Sequence, residues 1–290
     1  MATLHLIWQT NRGDQTSFEQ EYISNLLFGS VHHTKIFDHG SCTTVVDHAV
    51  IIYSNNARGV SAQFRDYLTR FNAQNFTFFL LHLSNESLSH DSEYYKLAKH
   101  VMRSYYGNVH ATNVCDNNCL VVPLGFKTGF YNKHMTYRTL PPKKYTFCFI
   151  GQPKSDRVDV IDALQRVGNS FIHTTNRWNC PSSLSATECA AVYRETRFVP
   201  CPMGWTHPDS FRIMEVLESG SIPVLKAYPN LEYFTKVWGE SPLPTVDSWG
   251  QLDALALLDS ERYCELYSNV MRWYDLFKTD LADKIRTIVA

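Results

Sequence analysis

Long apolar runs are missing from this chain. No stretch approaches the ~18 uninterrupted apolar residues of a membrane-spanning helix, so no membrane span is expected. The opening MATLHLIWQTNRGD holds too short an apolar stretch for a secretory leader and soon meets Arg12 and Asp14. It reads as a first core strand, and the expected location is cytoplasmic. Charge of one sign is lacking too: 27 Lys and Arg stand against 28 Asp and Glu, a net charge of -1. With no long basic run, a broad electrostatic footprint for nucleic acid is not expected. No repeat of fixed period and no low-complexity tract appears. No Gly-x-Gly-x-x-Gly follows a strand candidate, which disfavours a dinucleotide-binding oxidoreductase.

Cysteine is present without a framework. The eight (Cys42, Cys115, Cys119, Cys148, Cys180, Cys189, Cys201 and Cys264) are scattered, which in a cytosolic protein suggests free thiols acting as small hydrophobes. Cys115 and Cys119 flank an Asp-Asn-Asn turn, a spacing open to pairing or metal binding. No second pair stands at ligand spacing, so free thiols are the favoured reading. His32, His33, His39, Asp47 and His48 match no ligand frame either and are read as surface groups. The glycosylation sequons at Asn75 and Asn85 carry no weight without a secretory route.

What the chain does have is 290 residues, 44% of them hydrophobic and 13% aromatic, ample for one large or two moderate cores. Strand-like runs alternate with helical spacing. Strands are expected at Leu4–Trp8, Val50–Tyr53, Phe76–Leu83 and Cys119–Val122, and helices at Ser17–Leu27, Ala62–Phe71 and Ser92–Tyr106. Between Gly125 and Lys144 the pattern breaks into glycine, proline and lysine, a linker signature. It restarts with strands at Tyr145–Ile150, Ser170–Thr174, Thr196–Val199 and Ile222–Leu225. The intervening helices are Arg157–Val167, Ala186–Glu195 and Ser210–Ser219, and a long amphipathic tail runs over Glu261–Val289. Such alternation implies α/β units with largely parallel sheets and ligands beyond the carboxyl ends of the strands.

The segment Pro200–Leu225 carries the chemistry. Pro200, Pro202 and Gly204 break the strand, Asp209 or Ser210 can cap the next helix, and Gly220 ends it. A helix start at the carboxyl end of a strand offers free N–H groups and a positive dipole end. A serine hydroxyl and the Arg212 guanidinium in its first turn suit a diphosphate, and Glu215 one turn on suits ribose hydroxyls. On spacing alone, a surface ion pair of Arg212 and Glu215 worth ~0.2–0.5 kcal/mol is the favoured reading.

Several ordered motifs between about residues 79 and 225 resemble a known family. They are Phe198–Gly204 with Asp209-Ser210-Phe211-Arg212 and Glu215–Val224, then Phe147–Arg157, Leu81–Glu86, Arg103–Tyr106 and Pro123–Phe130. Together they are similar to exostosin-type glycosyltransferases. The similarity is greatest to the ribitol-xylosyltransferase-like branch with soluble algal, bacterial and large-DNA-virus members. The resemblance implies a GT-B fold, α/β, with two Rossmann-like domains facing a central cleft. It implies an N-terminal acceptor domain over 1–140, a C-terminal donor domain over 141–260, and a last helix over 261–290 packing back on the first domain. It also implies inverting transfer from a UDP-sugar, UDP-xylose first, to a hydroxyl of a glycan or glycoprotein acceptor. No metal or other cofactor is implied, and the nearest approach to Asp-x-Asp, Asp156 to Asp159, is one residue too long.

The donor set expected on this basis is Gly151, Lys154, Arg157, Gly204, Ser210, Arg212 and Glu215. Arg157 is equally readable as an ordinary first-turn helix residue. Glu86, after the buried strand Phe76–Leu83, is the candidate base, with Asp14 its competitor; a capping or loop role for Glu86 is the plainer alternative. Relatives often carry Asp-Glu where this chain has Asn85-Glu86, so any role of the first acid is lost. That substitution favours the second functional reading, a non-catalytic carbohydrate- or nucleotide-sugar-binding protein of the same fold. His82 reads as a core histidine, and Trp273, Tyr274 and Phe277 as braces for the hinge between domains.

Overall fold

The computed structural model describes residues 3–9, 19–54, 62–86, 93–105, 118–131, 140–177, 180–205, 207–228 and 233–290. The chain divides into two compact units. Unit 1 comprises Met1–Leu124, Trp205–His207 and Lys278–Ala290; unit 2 comprises Gly125–Gly204 and Pro208–Phe277.

Unit 1 is built on a six-stranded sheet of β1 (Leu4–Gln9), β2 (His33–Phe37), β3 (Ala49–Ser54), β4 (Phe78–Leu83), β5 (His100–Ser104) and β6 (Cys119–Val122). Their spatial order is β2-β1-β3-β4-β5-β6, and every pairing is parallel. Parallel strands covered on both faces need continuous apolar runs. The FFLLHL of β4 is one, buried at all six positions. The register lines up Ile7, Ile51, Leu80 and Val101 across four strands. This row packs under helix α1 (Ala62–Ala73), whose Phe64, Tyr67, Leu68 and Phe71 recur at helical spacing. Each such fully buried side chain contributes roughly 1.5–3 kcal/mol relative to exposure.

Unit 2 carries β7 (Tyr145–Gly151), β8 (Ser170–Thr174), β9 (Thr196–Pro200), β10 (Ile222–Lys226) and β11 (Thr245–Val246), again all parallel, in the order β11-β10-β9-β7-β8. Helix α2 (Arg157–Val167) follows β7, α3 (Ala186–Arg194) precedes β9, and α4 (Phe211–Glu218) links β9 to β10. A capping box starts α3: Ser185 Oγ accepts from Glu188 N at 3.2 Å, and Ser185 N donates to Glu188 Oε2 at 2.8 Å. After α5 (Tyr233–Trp238) and α6 (Leu252–Ala256) comes α7 (Ser260–Val289), 30 residues long. The chain is therefore α/β, with two Rossmann-like units, the composition of a GT-B fold. Among the described residues no helix is long and apolar enough to cross a membrane.

Three expectations need correction, and one strand was not foreseen. Ser92–Tyr106 is not a helix: a 3₁₀ turn covers Glu93–Leu97 and β5 covers His100–Ser104, while Tyr106 lies outside the described residues. Pairing with β4 and β6 overrides the helical spacing. Strand β2 was not expected, because an edge strand with exposed Thr34, Lys35 and Phe37 lacks an apolar run. The Ser17–Leu27 helix is a π-helical turn over Tyr22–Leu27, marked by Phe28 N bonding to Ile23 O at 3.0 Å; Ser17 and Phe18 lie outside the described residues. Cys119 is disulfide-bonded, so the reading of free thiols throughout does not hold; Cys115 lies outside the described residues.

The tail aromatics have a local use. Within unit 2, Trp273 and Phe277 pack on Trp238 of α5 at centroid distances of 6.1 and 4.9 Å, and Tyr274 Oη donates to Glu218 Oε1 at 2.7 Å.

Candidate functional site at the carboxyl edge of the second sheet

The order β11-β10-β9-β7-β8 reverses direction between β7 and β9, since chain order runs outward to β8 on one side and to β10 and β11 on the other. In doubly wound sheets the loops leaving two such strands diverge and open a crevice at their carboxyl ends. Here those loops are Gly151–Asp156, leading into α2, and Cys201–Ser210, leading into α4. Six of the seven expected donor residues lie in these loops or in the first turn of the helix that follows. Glu215 is one turn further along α4.

Gly151 ends β7 at φ +145°, where an L side chain is strained, and a Cβ placed on it would stand 3.1 Å from Arg212 Nη2. The backbone angle and that guanidinium both call for glycine here. Arg212 Nη2 donates to Ile150 O at 2.7 Å, and the guanidinium carbon lies 5.2 Å from the Phe149 ring centroid. Arg212 is 9% exposed and Glu215 5%, so the surface-pair alternative does not survive the structure. A buried charge costs several kcal/mol unless compensated. Around Arg212 the compensation comes from Tyr193, the Ile150 carbonyl, the face of Phe149 and the carboxylate of Glu215. Burial pushes the Glu215 carboxyl above the ordinary carboxylate range, while the charges of Lys127 and Arg212 pull it down. Lys127 Nζ stands 3.9 Å from Glu215 Oε1, an ion pair without hydrogen-bond contact.

Arg157 opens α2 and turns toward the other loop. Its Nη2 donates to Met203 O at 3.0 Å, with Gly204 O at 3.5 Å. The guanidinium thus fixes the Cys201–Gly204 backbone, a function that neither sequence reading of Arg157 contained. Lys154 is exposed on the loop after Gly151. Ser210 takes the N-cap position of α4 with extended backbone, φ -146° and ψ 153°, yet its side chain caps nothing. Its Oγ is buried and lacks a hydrogen-bond partner, as do Arg212 Nε and Glu215 Oε1. Three buried polar atoms along α4 are therefore without a hydrogen-bond partner, a state that costs about 1–3 kcal/mol for a neutral group such as the Ser210 hydroxyl.

Two aspartates named in the sequence motifs but not placed in the donor set support this edge. Asp156 Oδ2 accepts from Tyr228 Oη at 3.1 Å and Trp249 Nε1 at 3.2 Å, and buried Asp209 accepts from Tyr233 Oη at 2.5 Å. Their partners lie up to 93 positions away, beyond the reach of any local pattern. A cavity of about 200 Å³ lies toward the opposite end of α4, lined by Phe130, Tyr131, Ala190 and Glu218 among others, and includes none of the expected donor residues.

Of the two expected bases, Asp14 lies outside the described residues. Glu86 belongs to unit 1, two residues beyond the turn that ends β4. Its Oε1 accepts from Trp205 N at 2.6 Å and His207 N at 3.0 Å, so two amides of the same unit fix the carboxylate. Among the described residues no group of three or more His, Cys, Asp or Glu is placed to hold a metal ion. His82 is buried and stacks on Tyr53 at 4.4 Å.

No protein-family model matches the chain. No curated protein matches it either. Among solved structures it is similar to an alpha1,3-fucosyltransferase, with a TM-score of 0.49 and 12% identity over 100% of this chain and 92% of that one. It is also similar to MurG of Acinetobacter baumannii, with a TM-score of 0.36 and 11% identity over 98% of this chain and 94% of that one.

Proposed function

We propose that the chain is an inverting glycosyltransferase of the exostosin-like type. It would move a sugar from a UDP-sugar, UDP-xylose by resemblance, to a hydroxyl of a glycan or glycoprotein acceptor without a metal or other cofactor. The observation that carries the proposal is the set of buried atoms along α4 that lack a hydrogen-bond partner: Ser210 Oγ, Arg212 Nε and Glu215 Oε1. A nucleoside diphosphate supplies the missing partners. Its phosphate oxygens accept from the serine, the guanidinium and the helix N–H groups, and its ribose hydroxyls donate to the carboxylate. Positive groups there stabilise the departing diphosphate while the anomeric carbon becomes cation-like. Arg157, committed to the Met203 carbonyl, is a positioning residue in this scheme, and exposed Lys154 adds a positive charge.

The acceptor proton needs a base. Glu86 is proposed for it because it follows the buried strand β4 at its carboxyl end; Asp14 is the competitor. The second reading, a binder without turnover, takes its support from Asn85, an amide where relatives often carry an acid.

Thermal unfolding with and without UDP tests the donor site. At a UDP concentration of 100 times Kd the native state gains about 2.7 kcal/mol. Ser210→Ala removes one hydrogen-bond donor without touching the anchored Arg212, and the affinity should fall by about tenfold. Absence of any UDP shift in the unmodified protein, or an identical shift in Ser210→Ala, would sink the assignment. Turnover with a panel of UDP-sugars then separates enzyme from binder.

A further inference from the structure

Unit 1 contains a charge that the sugar-transfer scheme does not use. Arg103, the penultimate residue of β5, is 1% exposed. Its Nε donates to Ser104 O at 3.3 Å and its Nη1 to Tyr95 Oη at 3.4 Å, both neutral acceptors, while Nη2 is buried with no partner. Arginine does not shed its proton in proteins, so the charge stays and its desolvation is uncompensated.

The surroundings are polar and equally unfinished. The register aligns Tyr53, His82 and Arg103 across β3, β4 and β5, which puts their side chains on one face of the sheet at its carboxyl end. His82 Nδ1 lies 2.5 Å from the same Tyr95 hydroxyl that meets Arg103. One strand over, the chain turns at Ser84 with φ +60°, and Ser84 N donates to Ser104 Oγ at 3.2 Å, tying the turn to β5. Asn85 follows, 2% exposed, with both amide atoms lacking partners, and Ser84 Oγ lacks one too. A fixed positive charge, an amide and a hydroxyl, all buried and unsatisfied at the ends of adjacent strands, call for a ligand that accepts hydrogen bonds and carries negative charge.

We infer that the carboxyl edge of β4 and β5 is a binding site for a phosphate-type oxyanion, with Arg103 supplying the charge and Asn85 and Ser84 the neutral donors. This site does not depend on the sugar-transfer reading. It lies within unit 1 and holds its anion whatever unit 2 binds.

Thermal midpoints in sodium phosphate, compared with sodium chloride at equal ionic strength and pH, test it in the whole chain. At about 10 mM phosphate a site of millimolar affinity raises the midpoint by roughly 3 °C. The rise should persist in Ser210→Ala, which alters only unit 2, and vanish in Arg103→Lys and in Asn85→Ala. If Arg103→Lys does not fold, Asn85→Ala decides alone. A parallel series with a phosphomonoester shows whether the anion arrives free or attached: a larger rise assigns the site to a phosphorylated ligand, an equal or smaller one to the free ion. No rise beyond chloride in the unmodified protein overturns the inference. So does a rise kept in the unit 1 variants, or one lost in Ser210→Ala.

Discussion

Gly151→Ala should damage the protein through Arg212 as well as through the backbone. At φ +145° a β-carbon carries a cost of about 1–3 kcal/mol. The new methyl would also stand 3.1 Å from Arg212 Nη2, which is held at 2.7 Å from Ile150 O in a buried site, so the guanidinium must give way. Losing that charge-assisted bond adds about 1.5–3 kcal/mol. A matched control exists in the same unit: Gly168 has φ +73° and ψ -177° with nothing within 4 Å of a built Cβ, so Gly168→Ala bears a similar backbone cost of about 1–3 kcal/mol and no contact cost. The contact term should therefore separate the two thermal midpoints by roughly 3–12 °C, using about 2–4 °C per kcal/mol for a protein of this size. Scanning calorimetry or circular dichroism measures the gap, and UDP titration should show Gly151→Ala losing stabilisation that Gly168→Ala keeps. Equal loss in the two variants, with equal response to UDP, would refute the claim that Arg212 is anchored against the Gly151 backbone.

Two further outcomes are expected. Burial alone would raise the Asp38 carboxyl, but hydrogen bonds from Ser41, Gln9 and Thr43 outweigh it and hold the group well below the ordinary carboxylate range. Its stabilisation is then full above the unfolded value near pH ~4 and is lost as pH falls toward the folded one. Asp38→Asn should lower stability by about 2 kcal/mol at pH ~7, with the gap to the unmodified protein closing below pH ~4 in acid titrations followed by fluorescence; a gap independent of pH would contradict this. Glu86→Gln should keep the UDP-induced thermal shift and lose at least about 100-fold in transfer rate, so full turnover would remove Glu86 from the mechanism.

Much of the fold can be read in the chain because its strands are buried on both faces. Phe78–Leu83 and Tyr145–Gly151 are apolar runs that local order alone identifies. His100–Ser104 escapes such reading because Arg103 and Ser104 are buried polar residues, and nothing local distinguishes them from exposed ones. The candidate site is legible to the same depth. The proline-glycine break and the Arg212, Glu215 spacing locate the start of α4, but their burial depends on contacts with Ile150, Phe149 and Lys127 that sit far away in sequence. The lysine-like plainness of Arg157 concealed its grip on Met203 for the same reason.

The membership of Lys278–Ala290 in unit 1 has a consequence for biosynthesis. Leu281, Ile285 and Val289 recur every fourth residue of α7 and are buried. A ribosome emits the six strands of this unit first and these three residues more than 150 positions after β6 ends. At translation speeds of about 5–20 residues per second, the nascent unit waits for roughly 8–30 s with the matching surface uncovered. The unit made first is thus completed last.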